Sequence, residues 1–208
     1  MSDTQAGVPE RGVDRGVGDF DAMYLETPPW DIGRPQPVFV ELADTGAIEG
    51  RVLDAGCGTG EHVLMLAERG FDVTGVDSAG LAIAHAQRKS AERGLRARLL
   101  VFDALRLADL GEEFDTVIDS GLFHVFDDER RAQYVEALAA VISRGGRYLM
   151  CCFSDRQPGE WGPRRVFQQE IRDVFAQGWR IVSITEAEFE TNLDPPLADA
   201  WLSRITRI

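Results

Sequence analysis

The sequence is short of positive charge, of cysteine and of long apolar runs. Its 208 residues carry 22 basic against 35 acidic side chains, a formal net charge of −13, and Lys89 is the only lysine. A surface of that sign repels a phosphate backbone, which excludes a broad nucleic-acid footprint. No stretch approaches the ~20 apolar residues that span a bilayer. The opening MSDTQAGVPERGVDRGVGDF lacks the apolar segment of a secretory signal. Three cysteines, Cys57, Cys151 and Cys152, cannot all pair within one chain, so a reducing, cytoplasmic setting is expected. What is present is the composition of a globular domain, with 44% hydrophobic and 27% charged residues.

Residues 1 to about 18 are poor in large apolar groups and are expected to be mobile. A short helix is predicted over Phe20–Glu26. TPPWDIGRPQP follows, whose four prolines exclude a regular helix. Val38–Gly46 reads as a helix closed by glycine. From Arg51 onward strands and helices alternate: RVLDA, then a helix to Gly70; FDVTGVD, then a helix that Ser78 caps and Gly94 closes; LRARLLVFD; FDTVIDSG; and a helix from Asp127 to Gly146 with Tyr134, Leu138 and Val141 on one face. RYLMCCF, a helix over residues 163–178, and two closing strands, WRIVSITEAEFE and ADAWLSRITRI, complete the pattern. Such alternation implies an α/β, doubly wound, mostly parallel seven-stranded sheet. With no helix between the last two strands, one of them should run antiparallel at the sheet edge. The domain is expected to span residues 38–208, behind an N-terminal segment of residues 1–37.

VLDAGCGTGEH places Gly56, Gly58 and Gly60 within five positions after Asp54. Glycine lets the backbone of a strand-to-helix turn approach a ligand closely. The same kind of turn serves NAD and FAD, but their fingerprint is G-x-G-x-x-G, whereas this one is G-x-G-x-G. Asp77 closes the second strand and Asp103 the third, so three carboxylates line one crevice at the carboxyl ends of the strands. Asp54 would repel a pyrophosphate. S-adenosylmethionine carries a sulfonium and an ammonium but no phosphate. Asp77 suits its ribose hydroxyls, Asp103 its adenine amine and Asp54 its ammonium.

Through LDAGCGTG, VTGVDSA, VFDAL, FDTVIDSGLFHVF and SRGGRYLM, the chain resembles the class I S-adenosylmethionine-dependent methyltransferases over residues 51–146. The resemblance implies a seven-stranded sheet with a reversed last hairpin. It implies cofactor contacts at Asp54, Gly56, Gly58, Gly60, Asp77, Ser78, Asp103 and Ala104, with Asp119, Ser120 and Gly121 facing the methionine end and the acceptor. Signatures of DNA amino-methyltransferases are absent, since Asp119-Ser120-Gly121-Leu122 stands at their motif. Asp127 and Asp128 read as helix caps rather than metal ligands.

PPWDIGRPQP resembles a segment of the thiopurine, thiol and halide methyltransferases that folds over the cofactor, which implies a lid at residues 20–37 with Trp30 against the reacting centre. Plant thiol and halide enzymes have proline where this chain has Ala55. The expected reaction is in-line methyl transfer to a small acceptor, either a thiol sulfur or an oxygen or nitrogen of a heteroaromatic. Two rival readings are a non-catalytic S-adenosylmethionine-binding protein and an NAD(P)-dependent oxidoreductase. His124, on the acceptor side of the crevice, is the candidate base or hydrogen-bond partner. His62 and His85 read as structural. Phe123, Phe126 and Trp161 are candidate apolar walls. The chain is expected to act as a monomer or homodimer, with neither nucleic acid nor membrane as partner.

Overall fold

Tyr148, Met150 and Cys152 alternate with Leu149, Cys151 and Phe153, and the two sets are buried in different cores. That two-residue period is the mark of a strand covered on both faces. It also turns the adjacent Cys151 and Cys152 thiols away from each other, and all three cysteines are free and buried. A computed structural model describes residues 17–159 and 161–208. Most of the N-terminal stretch expected to be mobile lies outside the described residues.

In chain order the elements are α1 (Val17–Met23), α2 (Pro37–Asp44), β1 (Arg51–Ala55), α3 (Glu61–Glu68), β2 (Asp72–Asp77), α4 (Gly80–Glu92), β3 (Arg98–Val101), β4 (Phe114–Ser120), α5 (Asp128–Val141), β5 (Ile142–Phe153), α6 (Gln168–Val174), β6 (Trp179–Glu190) and β7 (Leu197–Arg207). Single 3-10 segments cover Ala104–Leu110 and Phe123–Val125. The seven strands form one sheet in the order β3-β2-β1-β4-β5-β7-β6. Strands β1 to β5 pair in parallel, and β7 is antiparallel to both β5 and β6. The reversed strand therefore lies inside the sheet and β6 takes the edge, a correction to the expected order. Helices α2, α3 and α4 cover one face through Phe39, Leu66 and Ile83. Helices α5 and α6 cover the other through Tyr134, Leu138 and Ile171.

Three expected helices change. Helix α4 is not capped by Ser78: its N-cap is Ala79, with no side-chain bond. Asp77 instead accepts from the Ala79 amide at 2.8 Å, and Asp21 of α1 accepts from the Leu81 amide at 2.7 Å. Helix α5 begins as read, with Asp127 accepting from the Arg130 amide at 2.8 Å. It ends early because Ile142 turns extended and pairs with Phe114. Helix α6 is confined to residues 168–174 because the preceding backbone is used otherwise. The Val166 amide donates to Phe153 O, and the Arg165 guanidinium donates to the carbonyls of Gln157, Pro158, Gly159 and Pro163. Among the described residues no helix is long and apolar enough to cross a membrane.

Candidate active site

The strand order reverses between β1 and β4, and the carboxyl ends there form the crevice in which doubly wound sheets take ligands. The glycine turn leaves β1 with Gly56, Gly58 and Gly60 at φ of 74°, 52° and 85°. The amides of Gly56 and Cys57 both donate to Val76 O at 2.9 Å, which ties the turn to β2. A side chain at Gly60 would meet the Ala86 Cβ at 2.8 Å, so this glycine lets α4 pack against the turn. Cys57 is a packing residue: with Val63 it fills the space beside Gly75 in β2.

Asp77 is held by two backbone donors, the Gly58 amide on Oδ2 and the Ala79 amide on Oδ1, both at 2.8 Å. Burial raises its pKa against those bonds. Each oxygen keeps a lone pair for a further donor. Asp103 caps the 3-10 segment by accepting from the Leu105 amide at 2.9 Å, and Ala104 is buried behind it. Ser78 and Ser120 are half-buried at the ends of β2 and β4.

Asp54 is different. It is completely buried, and neither carboxylate oxygen has a hydrogen-bond partner. Burial first, then the neighbouring Asp119 and Asp77 carboxylates, push its pKa well above the usual range. Its nearest cation candidate is His62, whose Nδ1 stands 3.8 Å away, too far for a hydrogen bond. His62 Nε2 accepts from the Gln36 amide at 3.1 Å, which leaves the proton on Nδ1. Burial lowers its pKa to about 4, so it stays neutral, in keeping with a structural role.

Asp119 does not face the crevice. It turns into the core, where Tyr148 and Tyr134 donate to Oδ2 at 2.6 and 3.1 Å, and the Leu122 and Phe123 amides donate to Oδ1 at 2.8 and 3.3 Å. Its task is to shape the turn after β4, which presents Gly121 and His124. Burial outweighs these four bonds and lifts its pKa to about 6.

His124 is buried beside Phe153 and Phe189, with ring centroids 4.9 and 6.2 Å away. Its Nδ1 accepts from the Phe153 amide at 3.0 Å, and burial lowers its pKa to about 3. The lone pair is occupied and the remaining nitrogen carries the proton, so this geometry opposes a base and leaves an Nε2–H donor. Trp161 packs edge-on against Phe153 at 5.6 Å. Of the expected walls, Phe123 lies instead under Arg131 and against Phe175, and Phe126 packs on Tyr134.

The N-terminal segment covers the glycine turn. Tyr24 is buried, and its hydroxyl oxygen stands 3.0 Å from where a Gly58 Cβ would be. Trp30 donates its indole N–H to that oxygen at 3.1 Å. Asp31 accepts from the Thr59 hydroxyl at 2.9 Å, and Lys89 donates to the same Thr59 oxygen at 2.9 Å and to Glu61 at 2.7 Å. Gln36 exchanges two bonds with the Glu190 backbone, at 2.9 and 2.8 Å, while Asn192 donates to the carbonyls of Pro29 and Asp31. Sequence reasoning missed Asp21, Tyr24, Gln36, Phe153 and Phe189. The proximity of Tyr24 to the proline-rich stretch was the one available signal.

A methyltransferase-domain family matches residues 52–146. The 2-heptyl-1-hydroxyquinolin-4(1H)-one methyltransferase of Mycobacteroides abscessus is 36% identical over 180 residues, covering 85% of this chain and 79% of that protein. Probable thiol methyltransferase 2 of Arabidopsis thaliana is 27% identical, covering 77% and 72%. A solved structure described as "Conversion of a Disulfide Bond into a Thioacetal Group during Echinomycin Biosynthesis" is 40% identical with a TM-score of 0.85, covering 92% of this chain and 93% of that one. Glycine turn, strand-end carboxylates and these likenesses agree: the chain belongs to the class I S-adenosylmethionine-dependent methyltransferases, in the group that methylates small molecules.

Proposed function

We propose that this methyltransferase acts on a flat heteroaromatic acceptor carrying an acidic O–H or S–H, of the hydroxyquinolone or aryl-thiol kind, that arrives already ionised. The observation that carries this reading is the saturated His124 ring. Its lone pair is taken by the Phe153 amide, and the rings beside it, Phe153 and Phe189, with Trp161 against Phe153, offer no group that could take a proton. An acceptor that sheds its proton to solvent needs no base, and the His124 Nε2–H would donate to the resulting anion. The ring faces fit a planar acceptor better than a halide. The similar mycobacterial enzyme is named for a hydroxyquinolone and the plant enzyme for thiols.

The cofactor supplies an electrophilic methyl group on a sulfonium when bound. The residues present fit it. The unpartnered Asp54 carboxyl group is a buried acid that an ammonium would ionise and pair with, Asp77 keeps lone pairs for the ribose hydroxyls, and Asp103 with Ala104 would flank the adenine. Gly56, Gly58 and Gly60 give close approach, while Ser78 and Ser120 border the crevice. Residues 20–37 act as the lid, with Trp30 orienting Tyr24 and Asp31 latched to Thr59. Closure keeps water from the ionised acceptor.

The test is a product screen by mass spectrometry with methyl-labelled S-adenosylmethionine and 1-hydroxyquinolin-4-ones, aryl thiols, alkyl thiols and iodide. Methylated hydroxyquinolone or aryl thiol is expected; product from iodide or alkyl thiol alone overturns the acceptor class. Across a series of acceptors, the pH at which kcat/KM rises should follow the acceptor's own pKa. A midpoint fixed by the enzyme would restore a protein base.

A further inference from the structure

Arg164 and Arg165 are adjacent in sequence and opposite in their surroundings. Arg164 pairs with the carboxylates of both Asp128 and Glu170. Glu170 is shared with Arg131, a side chain of α5 that is only 2% exposed. Arg165 has no carboxylate partner among the described residues, and burial lowers its pKa with no neighbouring acid to oppose it. Its guanidinium donates to the carbonyls of Gln157, Pro158, Gly159 and Pro163. It lies over two aromatic rings, 5.4 Å from the centre of Phe153 and 5.5 Å from that of Trp161. Three guanidinium groups thus share two carboxylates, in a chain whose formal net charge is −13. A part-buried cation left without a counter-ion in so acidic a chain points to an anion that comes from outside.

The surplus charge stands beside His124. The Phe153 ring under Arg165 also packs against His124 and Phe189, with centroids 4.9 and 5.5 Å away. Arg131 donates to the carbonyl of Phe123, the residue before His124, at 3.3 Å, and its Nη2 is buried without a partner. Both arginines act electrostatically on the imidazole and add to burial in keeping it neutral. His124 Nε2 lies 3.3 Å from the place a Gly121 Cβ would take, at the turn after β4. One N–H donor and two positive charges therefore surround the rings against which a planar acceptor would pack. An anion gains from that field and a neutral molecule does not. We propose that Arg165 is a specificity-determining residue for the acceptor, selecting its anionic form by charge, with Arg131 adding to the field from the core. The proposal rests on the acceptor site given above. His124 orients the anion, and Arg165 decides that an anion is taken.

Calorimetric titration of the full chain, saturated with S-adenosylhomocysteine, separates charge selection from a merely structural clamp. The ligands are ionised 1-hydroxyquinolin-4-one and neutral quinolin-4-one, which share one ring system. Arg165→Gln should weaken the ionised ligand by about tenfold or more and the neutral one by no more than about twofold. Arg165→Lys keeps the charge but not the fork that holds the four carbonyls, and it should retain most of the preference for the anion. Equal losses for the two ligands in Arg165→Gln, or a Lys variant as indifferent to charge as the Gln variant, overturn the proposal. Should Arg165→Gln not fold, the unsubstituted protein decides: equal affinity for the two ligands overturns it. If the product screen finds only iodide methylated, the acceptor class fails while this proposal stays open to test, because iodide is also an anion. Arg165→Gln should then lower kcat/KM for iodide about tenfold, and an unchanged value overturns the role given to Arg165.

Discussion

Asp54 and Asp119 lie at the carboxyl ends of neighbouring strands, and both are completely buried. One has four hydrogen-bond donors and the other has none. Sequence and burial are alike; satisfaction is not. A buried carboxylate that is fully bonded belongs to the fold, whereas one left bare answers to something that binds. The ends of β1 and β4 thus differ: Asp119 builds the turn after its strand, while Asp54 carries no hydrogen bond.

The strongest way to break that division is Asp119→Ala. It would strand two tyrosine hydroxyls and two amides in the core, so chemical denaturation should show a loss of about 3–5 kcal/mol. Asp54→Asn should do the reverse and leave the protein at least as stable as the parent near neutral pH, since no bond is lost and a buried acid without a partner is replaced by a neutral amide. Its affinity for S-adenosylmethionine should nevertheless fall about 30-fold or more, read by calorimetry. If Asp54→Asn proves the less stable variant, the comparison is inverted.

A proton balance sharpens it further. The Asp54 pKa lies well above its ordinary value of 3.8 in the folded chain, so between the two values the folded protein holds a proton that the unfolded chain has lost. Its contribution to stability is therefore fully present below the unfolded pKa and declines as pH rises toward the folded one. Asp119 behaves in the same sense up to about 6. A cation in the crevice favours the ionised carboxylate. S-adenosylmethionine should therefore release about one proton on binding wherever Asp54 is still protonated, with affinity rising with pH there. Titrations in buffers of different ionisation enthalpy measure that release, and Asp54→Asn should abolish it. The smallest effect is expected from Tyr134→Phe, which removes one of the four donors to Asp119 and should cost about 0.5–1.5 kcal/mol in thermal or urea unfolding with cofactor affinity unchanged.

Much of this was legible along the chain. The alternation of apolar residues placed β6 at its observed limits, and the three glycines with Asp54, Asp77 and Asp103 marked the crevice. Those are local signals, set by period and turn chemistry. What stayed hidden depends on groups brought together from afar. Two of the four donors that satisfy Asp119 come from Tyr134 and Tyr148, 15 and 29 residues on. The amide that occupies His124 is likewise 29 residues away. Asp21, which binds the first turn of α4 in place of Ser78, precedes its partner by 60 residues. Which acid is bare, which histidine is saturated and which tyrosine overhangs the turn are facts of tertiary packing, and no spacing encodes them.

The position of β7 between β5 and β6 bears on how the protein is made. A ribosome delivers β6 before the strand that it pairs with, so during synthesis β6 waits with both edges bare. Its Val182 stays exposed even in the finished sheet. The interval between the two strands is thus the moment at which the nascent chain is most open to sticking to its neighbours, and slowing translation across residues 191–207 should lower the soluble yield without altering the protein that does fold.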